Sequence, residues 1–495
     1  MKKKVLLTWI ICCLTACGGG GTGSVGSPDT TSTNQPPNNT NNNADTSLVN
    51  DNQKPTAKLS INEDAPTANS NRVRLHIEAE DNDRVVAYFT SLQNQTPDMN
   101  STGWTSVRGV SSINLTLNNF SLSSGGGNKK VFLWVKDAAG NISEPASAEI
   151  DVWGFRDLSE FCGDPADVDL AVDSQNKVHI VCKNGNGIYY LTNRSGNWTS
   201  ETLSNAGIYV TSPSIAIDSH DVIHVVFNSW FLYLGTVPVG LIVYDRKIPG
   251  AGWDETVVTG PLYSVFVGNT SLVRDRNDKL HLATFLKMLQ PNTKTLWYLN
   301  NVSGTWQIDS SVEPSSFPND NPQVDLTVDN VGPRICYSQG GELIYAKKVG
   351  NIWNRLSNGL TDGINCSIVS DSVNANWIAY HDIHNALDII SFDVGVGNSS
   401  DTFLTIHNES DITVGKYISL SAGNNKLYVA FFDALNNVLY YAAQGQEDQD
   451  WFTLLIDSAG IQDNFPLKLA VDSQEKLHLV YYKMPGAKLM YATTR

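Results

Sequence analysis

V-D-L-A-V-D-S-Q-N-K-V-H-I-V, residues 168–181, returns as S-I-A-I-D-S-H-D-V-I-H-V-V at 214–226 and as L-K-L-A-V-D-S-Q-E-K-L-H-L-V at 467–480. Each copy alternates apolar and polar residues on both sides of an Asp-Ser turn, the signature of two strands joined tightly. A recurrence of such units every 40–60 residues from about residue 165 predicts a closed β array, most often a propeller.

Aligned on the Asp that ends the first strand, the copies carry Asp173, Asp218, Asp275, Asp329, Asp371, Gly423 and Asp472. That alignment predicts seven units. A third strand bears an aromatic near its end in six of them: Tyr190, Tyr244, Tyr298, Tyr345, Tyr441 and Tyr491, with Ile390 in the fifth. A fourth strand opens on Trp198, Trp253, Trp306, Trp353, Phe403 or Trp451. The seventh copy reaches Arg495 without such a residue, whereas Trp153-Gly154-Phe155 stands just ahead of the first copy. The expectation is that a strand beginning at Trp153 completes the last unit, because an open ring would expose strand edges. The array resembles bacterial propellers with the pattern Ala-Val-Asp-Ser-x-x-x-x-His, and it lacks the Ser-x-Asp-x-Gly-x-x-Trp box of sialidases.

Ahead of the array, residues 57–152 contain L-S-I at 59–61, V-R-L-H-I at 73–77 and V-F-L-W-V at 131–135, separated by turn residues. This is the pattern of a small β-sandwich. The runs A-Y-F-T-S at 87–91, Thr96-Pro97, Gly103-Trp104 and W-V-K-D-A-A-G-N-I-S at 134–143 resemble bacterial immunoglobulin-like domains of surface proteins. Asp81, Asp83 and Asp137 read as solvated turn carboxylates, and no metal site or cofactor is expected. The fold class is therefore all-β: an immunoglobulin-like sandwich at 57–152, then a seven-bladed propeller at 153–495 closed by its N-terminal strand.

Residues 1–17 combine Lys2, Lys3 and Lys4, an apolar run from Val5 to Leu14, and Leu14-Thr15-Ala16-Cys17. The run is too short for a stable membrane span and has the form of an export signal. Its ending resembles the lipobox of bacterial lipoproteins, which implies lipidation of Cys17 and, with Gly18 following, residence at the outer membrane. Residues 18–56 are mostly Gly, Asn, Thr, Ser and Pro, the composition of a disordered linker. Residues 222–244 carry no charged side chain, but Gly235, Pro238 and Gly240 interrupt them, so strands are expected rather than a membrane helix. The formal charge is −16, and loss of the three leader lysines takes it to about −19. That acidity leaves no basic footprint for nucleic acid. Cys162, Cys182, Cys336 and Cys366 form an even set in an exported chain, which suggests two disulfides. Three pairings exist, and proximity along the repeat favours Cys162–Cys182 and Cys336–Cys366.

The repeat residues themselves read as structural. His179, His224, His281 and His478 each follow the repeat Asp by six positions, and other copies place Ile335, Trp377 and, one residue earlier, Tyr428 in the corresponding place. Equivalent positions form a ring and do not converge on one metal ion. Function is expected where copies differ. The repeat Asp and the third-strand aromatic are 26 and 23 residues apart in copies two and three, against 16 to 19 elsewhere. The insertion in copy two carries Trp230, Phe231 and Tyr233, and that in copy three Lys287, Met288 and Lys294. Ligand contacts are expected from Trp230, Phe231 and Tyr233, and from second-strand ends such as Lys183, Asn228, Asp433 and Lys483, with Ser338 beside them. His381, Asp382 and His384 are the densest cluster of titratable groups, where a His beside a carboxylate is a candidate general base. The order of anchor, tether, spacer and head points to a non-catalytic surface lipoprotein binding a glycan or a protein. The alternatives are a polysaccharide-degrading enzyme, resembling seven-bladed lyases such as ulvan lyases, and a structural subunit of an outer-membrane assembly.

Overall fold

The computed structural model describes residues 51–495 apart from 164–166, 186, 205–208, 260–263, 289–292, 314–322, 340–341, 362–364, 382–385, 393–401, 408–413, 425, 445–450, 459–464, 487 and 495. Among the described residues every regular element is a strand except a 3₁₀ turn at Asn62–Asp64. The chain is all-β, and its repeat array forms a β-propeller.

Six copies make self-contained four-stranded antiparallel sheets. The expectation of seven such blades needs correcting. The last copy supplies three strands, Lys468–Val471, Leu477–Lys483 and Lys488–Thr494, and these belong to a nine-stranded sheet shared with the N-terminal strands. Those strands are β1 (Thr56–Ile61), β2 (Thr67–Ala68), β3 (Arg72–Ser91), β4 (Thr105–Ser121), β5 (Gly127–Asp137) and β6 (Ala146–Asp157). The reason is the length of β6. Its residues 146–152 pair with β5, and it then continues without a break so that Trp153–Asp157 pair with Thr494–Met490. One hydrogen-bond ladder thus runs from the N-terminal strands into the end of the chain.

The turns explain the repeat Asp. In copy one the Asp173 carboxylate accepts the backbone N–H of Gln175 at 2.9 Å and of Lys177 at 2.8 Å, and Asn176 adopts φ +61°. Copies two, three, five and seven repeat this with Asp221, Asp278, Asn374 and Glu475 at positive φ. Asn and Asp tolerate that region, and four of these five turns place one of them there, Glu475 being the exception. Copy six lacks the Asp for a packing reason. A Cβ on Gly423 would lie 2.3 Å from Glu475 Oε2, whose carboxylate instead takes the Asn424 N–H and, at 2.9 Å, the Tyr428 hydroxyl.

Copies are stitched together at three levels. On the turn face, Ser174 donates from N–H and Oγ to Asp221, Ser219 to Asp278, and Ser473 to Asn176, the last joining the end of the array to its beginning. Between blades, third-strand tyrosines meet the next fourth-strand tryptophan edge-on: Tyr190 on Trp253, Tyr244 on Trp306, Tyr298 on Trp353 and Tyr491 on Trp198, at 5.1–5.6 Å. Trp153 makes the same contact with Tyr441 at 5.6 Å. The two disulfides join Cys162 to Cys182 and Cys336 to Cys366. The third level lines the central mouth.

Candidate ligand-binding face of the propeller

Four positions before the repeat Asp, each copy places one polar residue: Asp169, Ser214, Ser271, Asp325, Ser367, Ser419 and Lys468. These first-strand residues face the next copy. Asp169 Oδ2 accepts the Ile215 N–H (3.0 Å), Ser214 Oγ that of Leu272 (3.0 Å), and Ser271 Oγ that of Leu326 (3.1 Å). Asp325 accepts from Ile368 (3.0 Å), Ser367 from Leu420 (3.1 Å) and Ser419 from Leu469 (3.0 Å). Lys468 Nζ returns to Asp169 Oδ1 at 3.6 Å, so the last copy closes on the first with an ion pair. Burial works against the Lys468 charge, but Asp169 and Asp325 outweigh it and hold the ammonium above its ordinary range.

Above this ring lies a polar cavity of about 330 Å³, lined by the first-strand entrances of all seven copies. Asp167, Asn269, Asn365, Tyr417 and Lys468 supply its chemistry. Burial raises the Asp167 carboxyl, opposed by the Ser212 N–H at 2.9 Å and by Lys183. The Asn365 Nδ2 is buried and makes no hydrogen bond among the described residues. Unmet buried donors are costly, so an acceptor entering the cavity would be favoured there.

The insertion in copy two is a hairpin, Ile223–Tyr233 with Val237–Lys247, paired over its whole length. The fourth strand reaches only as far as Val243, so the tip is a two-stranded ribbon standing clear of the blade. Leu234 (φ +51°) and Gly235 (φ +73°) form the tight turn. Antiparallel pairing sets the tip on the cavity side: Thr211, which lines the cavity, pairs with Asn228, and Tyr209 pairs with Trp230 two residues further out. The Tyr209 and Trp230 rings stack at 4.1 Å and 11°. Tyr233 is 54 % exposed and Leu234 81 %.

The other expected contacts fare differently. Asn228 is fully buried, its amide donating to Thr270 and Thr284 at 3.0 and 3.3 Å. Asp433 is buried and caps a turn through Leu435 and Asn436. Lys483 pairs with Asp457 at 2.8 Å. Lys183 and Ser338 are half-buried at the ends of their strands. His381 is buried, and Asp382 and His384 lie outside the described residues. Asp137, expected to be solvated, is buried and holds Asn141 through both oxygens at 2.7 and 2.6 Å. Lys287 and Met288 lie in the strand Leu280–Met288, and Lys294 is buried in the strand that follows.

No family model matches this chain, and no curated protein does. Solved structures with a similar trace include the SapL1 lectin in complex with α-methyl fucoside (13 % identity, 60 % of this chain and 97 % of that one, TM-score 0.37). Another is a fucose-specific lectin from Aleuria aurantia (12 %, 57 % and 90 %, TM-score 0.39). A third is the α-L-arabinofuranosidase Arb93A from Fusarium graminearum with an iminosugar inhibitor (10 %, 69 % and 96 %, TM-score 0.41). At such identities and scores the likeness carries no argument, and the fold stands on the strand pairing described above.

The histidine column is internal. His179, His224, His281 and His478 each join a tyrosine hydroxyl through Nδ1 at 2.5–2.7 Å. Their Nε2 atoms lie 3.2–3.4 Å from the repeat Asp. The fifth copy substitutes the Trp377 Nε1, which donates to Asp371 at 2.9 Å. In the fourth copy the turn is one residue shorter, so Arg334 rather than Ile335 takes the place and pairs with Asp329 at 2.9 Å.

Proposed function

We propose that this protein is a non-catalytic, lipid-anchored recognition protein of the outer membrane, whose propeller takes a glycan at the mouth of its central cavity. Cys17 is its anchor, residues 18–56 its tether, and the strands of residues 57–152 an immunoglobulin-like spacer. The supporting observation is the pairing of two chemistries at one rim. The copy-two hairpin offers exposed aromatic surface, and the cavity beside it offers carboxylate, amide and ammonium groups. Sugars need both, because their C–H faces stack on rings and their hydroxyls demand hydrogen bonds. Exposed apolar groups at a ribbon tip are retained when a partner covers them.

The test is a glycan-array screen of the full chain in detergent, followed by titration of the best binder. Tyr209→Ala and Tyr233→Ala should each weaken binding about tenfold or more, the scale of an interface hot spot. Shortening of the bound polysaccharide would establish an enzyme instead, and unchanged affinity in both variants would remove the hairpin from the site.

A further inference from the structure

A second cleft of about 1080 Å³ opens on the opposite, turn-bearing side of the array, where the first and last copies meet the N-terminal strands. Asn69–Asn71 and Gly125–Gly126 form one wall, β6 residues 152–156 the back, and the turns around Asn176 and Gln474 the other wall. The back is held tightly. A Cβ on Gly126 would lie 2.6 Å from the Gly154 Cα, so the Gly125–Gly126 wall lies directly against the β6 back.

The lining is specific in kind. Gln175 and Gln474 occupy equivalent places in the first and last turns, and their N–H groups are bound by Asp173 and Asp472. Their side-chain amides are exposed and make no hydrogen bond within the described residues, and the same holds for Asn69. Phe155 is 40 % exposed, and Trp198 stands edge-on to Tyr491 with part of its ring open to the cleft. Planar amides flanking aromatic faces are the groups that read sugar hydroxyls and stack on pyranose rings.

Charge narrows the ligand. The chain is strongly acidic, yet this cleft holds Lys177, Lys476 and Arg156 against Glu160 and Asp472. Arg156 pairs with Glu160 at 3.0 Å, and the Asp472 carboxylate is taken by His478 and by the N–H groups of Gln474 and Lys476. Asp472 keeps its charge and Asp151 stands near Lys476, so the lining is close to balanced, and Lys177 and Lys476 are its cations that an anionic group can meet. We propose that this cleft binds an acidic oligosaccharide, with Phe155 and Trp198 stacking on its rings and Lys177 and Lys476 meeting its carboxylates. It is a site separate from the propeller mouth.

The test titrates the full chain in detergent calorimetrically with galacturonic acid hexamer and with cellohexaose. The acidic hexamer should bind, and cellohexaose should bind at least about tenfold more weakly. Phe155→Ala and the double variant Lys177→Gln/Lys476→Gln should each lose about tenfold or more for the hexamer at an unchanged melting temperature. Tyr233→Ala, in the mouth, should leave that affinity intact. No binding of the hexamer, equal binding of cellohexaose, or full affinity in both cleft variants would overturn the proposal. Loss in Tyr233→Ala alone would also overturn it and place the hexamer at the mouth.

Discussion

At the scale of single residues, two kinds of buried titratable group pull stability in opposite directions with pH. Burial, against the pull of the neighbouring Asp, holds His179, His224 and His281 below the usual histidine range, so each sits neutral between tyrosine and aspartate. The unfolded chain binds protons there more readily than the folded one, so these groups erode stability as pH falls below about 6.5. Asp245 is the reverse case. It is 2 % exposed, its Oδ1 has no partner among the described residues, and burial with Glu255 and Asp254 nearby pushes its carboxyl up to about 7. The folded state keeps a proton that the unfolded chain releases, so stability declines as pH rises from about 4 to 7 and levels off above. Asp245→Asn should remove that decline and raise stability at pH 8 by roughly 2 kcal/mol after allowance for screening, measured by urea unfolding across pH. Without the decline in the parent protein, Asp245 would not be protonated as argued. The histidine column was legible because a fixed spacing repeats. Arg334 was not, because a turn shortened by one residue shifts the column. Asp245 carries no sequence signal at all, since its environment comes from neighbouring strands.

At the scale of elements, the long Asp-to-Tyr spacing of copy two announced an insertion, but not its form. Both strands lengthen instead of a loop bulging out, because strand-forming aromatic and β-branched residues continue through Trp230 to Tyr233 and at Val237 and Val239, and Gly235 permits the tight reversal. The turn holds one misfit. Leu234 sits at φ +51° with most of its side chain in water, a place where a bulky residue is strained and gains nothing from burial. Leu234→Gly should raise stability by about 1 kcal/mol in thermal or chemical unfolding. The same change should weaken glycan binding if Leu234 is kept for contact with a ligand. A destabilised variant would mean that the side chain packs on something within the protein. The burial of Asn228 is hidden from the sequence for a related reason: a strand end at the rim of one blade is roofed by the next, and Thr270 and Thr284 cover it.

At the scale of the molecule, the missing aromatic of the last copy was readable, because six fourth strands begin on one and Trp153 supplies another. What the pattern did not reveal is that the completing strand is also the last strand of the N-terminal sheet. Periodicity describes units and is blind to a ladder that joins two of them end to end. Trp153 lies at that joint, 3 % exposed and packed among Tyr441, Leu469 and Leu479. Trp153→Ala should cost about 3–5 kcal/mol, the usual price of a large core truncation, and should be seen in one cooperative transition for the array and the N-terminal strands together. Two separate transitions would show that the joint does not couple them. The unbroken course of β6 has a mechanical consequence. A pull along that strand loads its hydrogen bonds side by side in shear, so they yield together and not one after another. A force on the propeller therefore passes, with its direction, straight into the N-terminal strands.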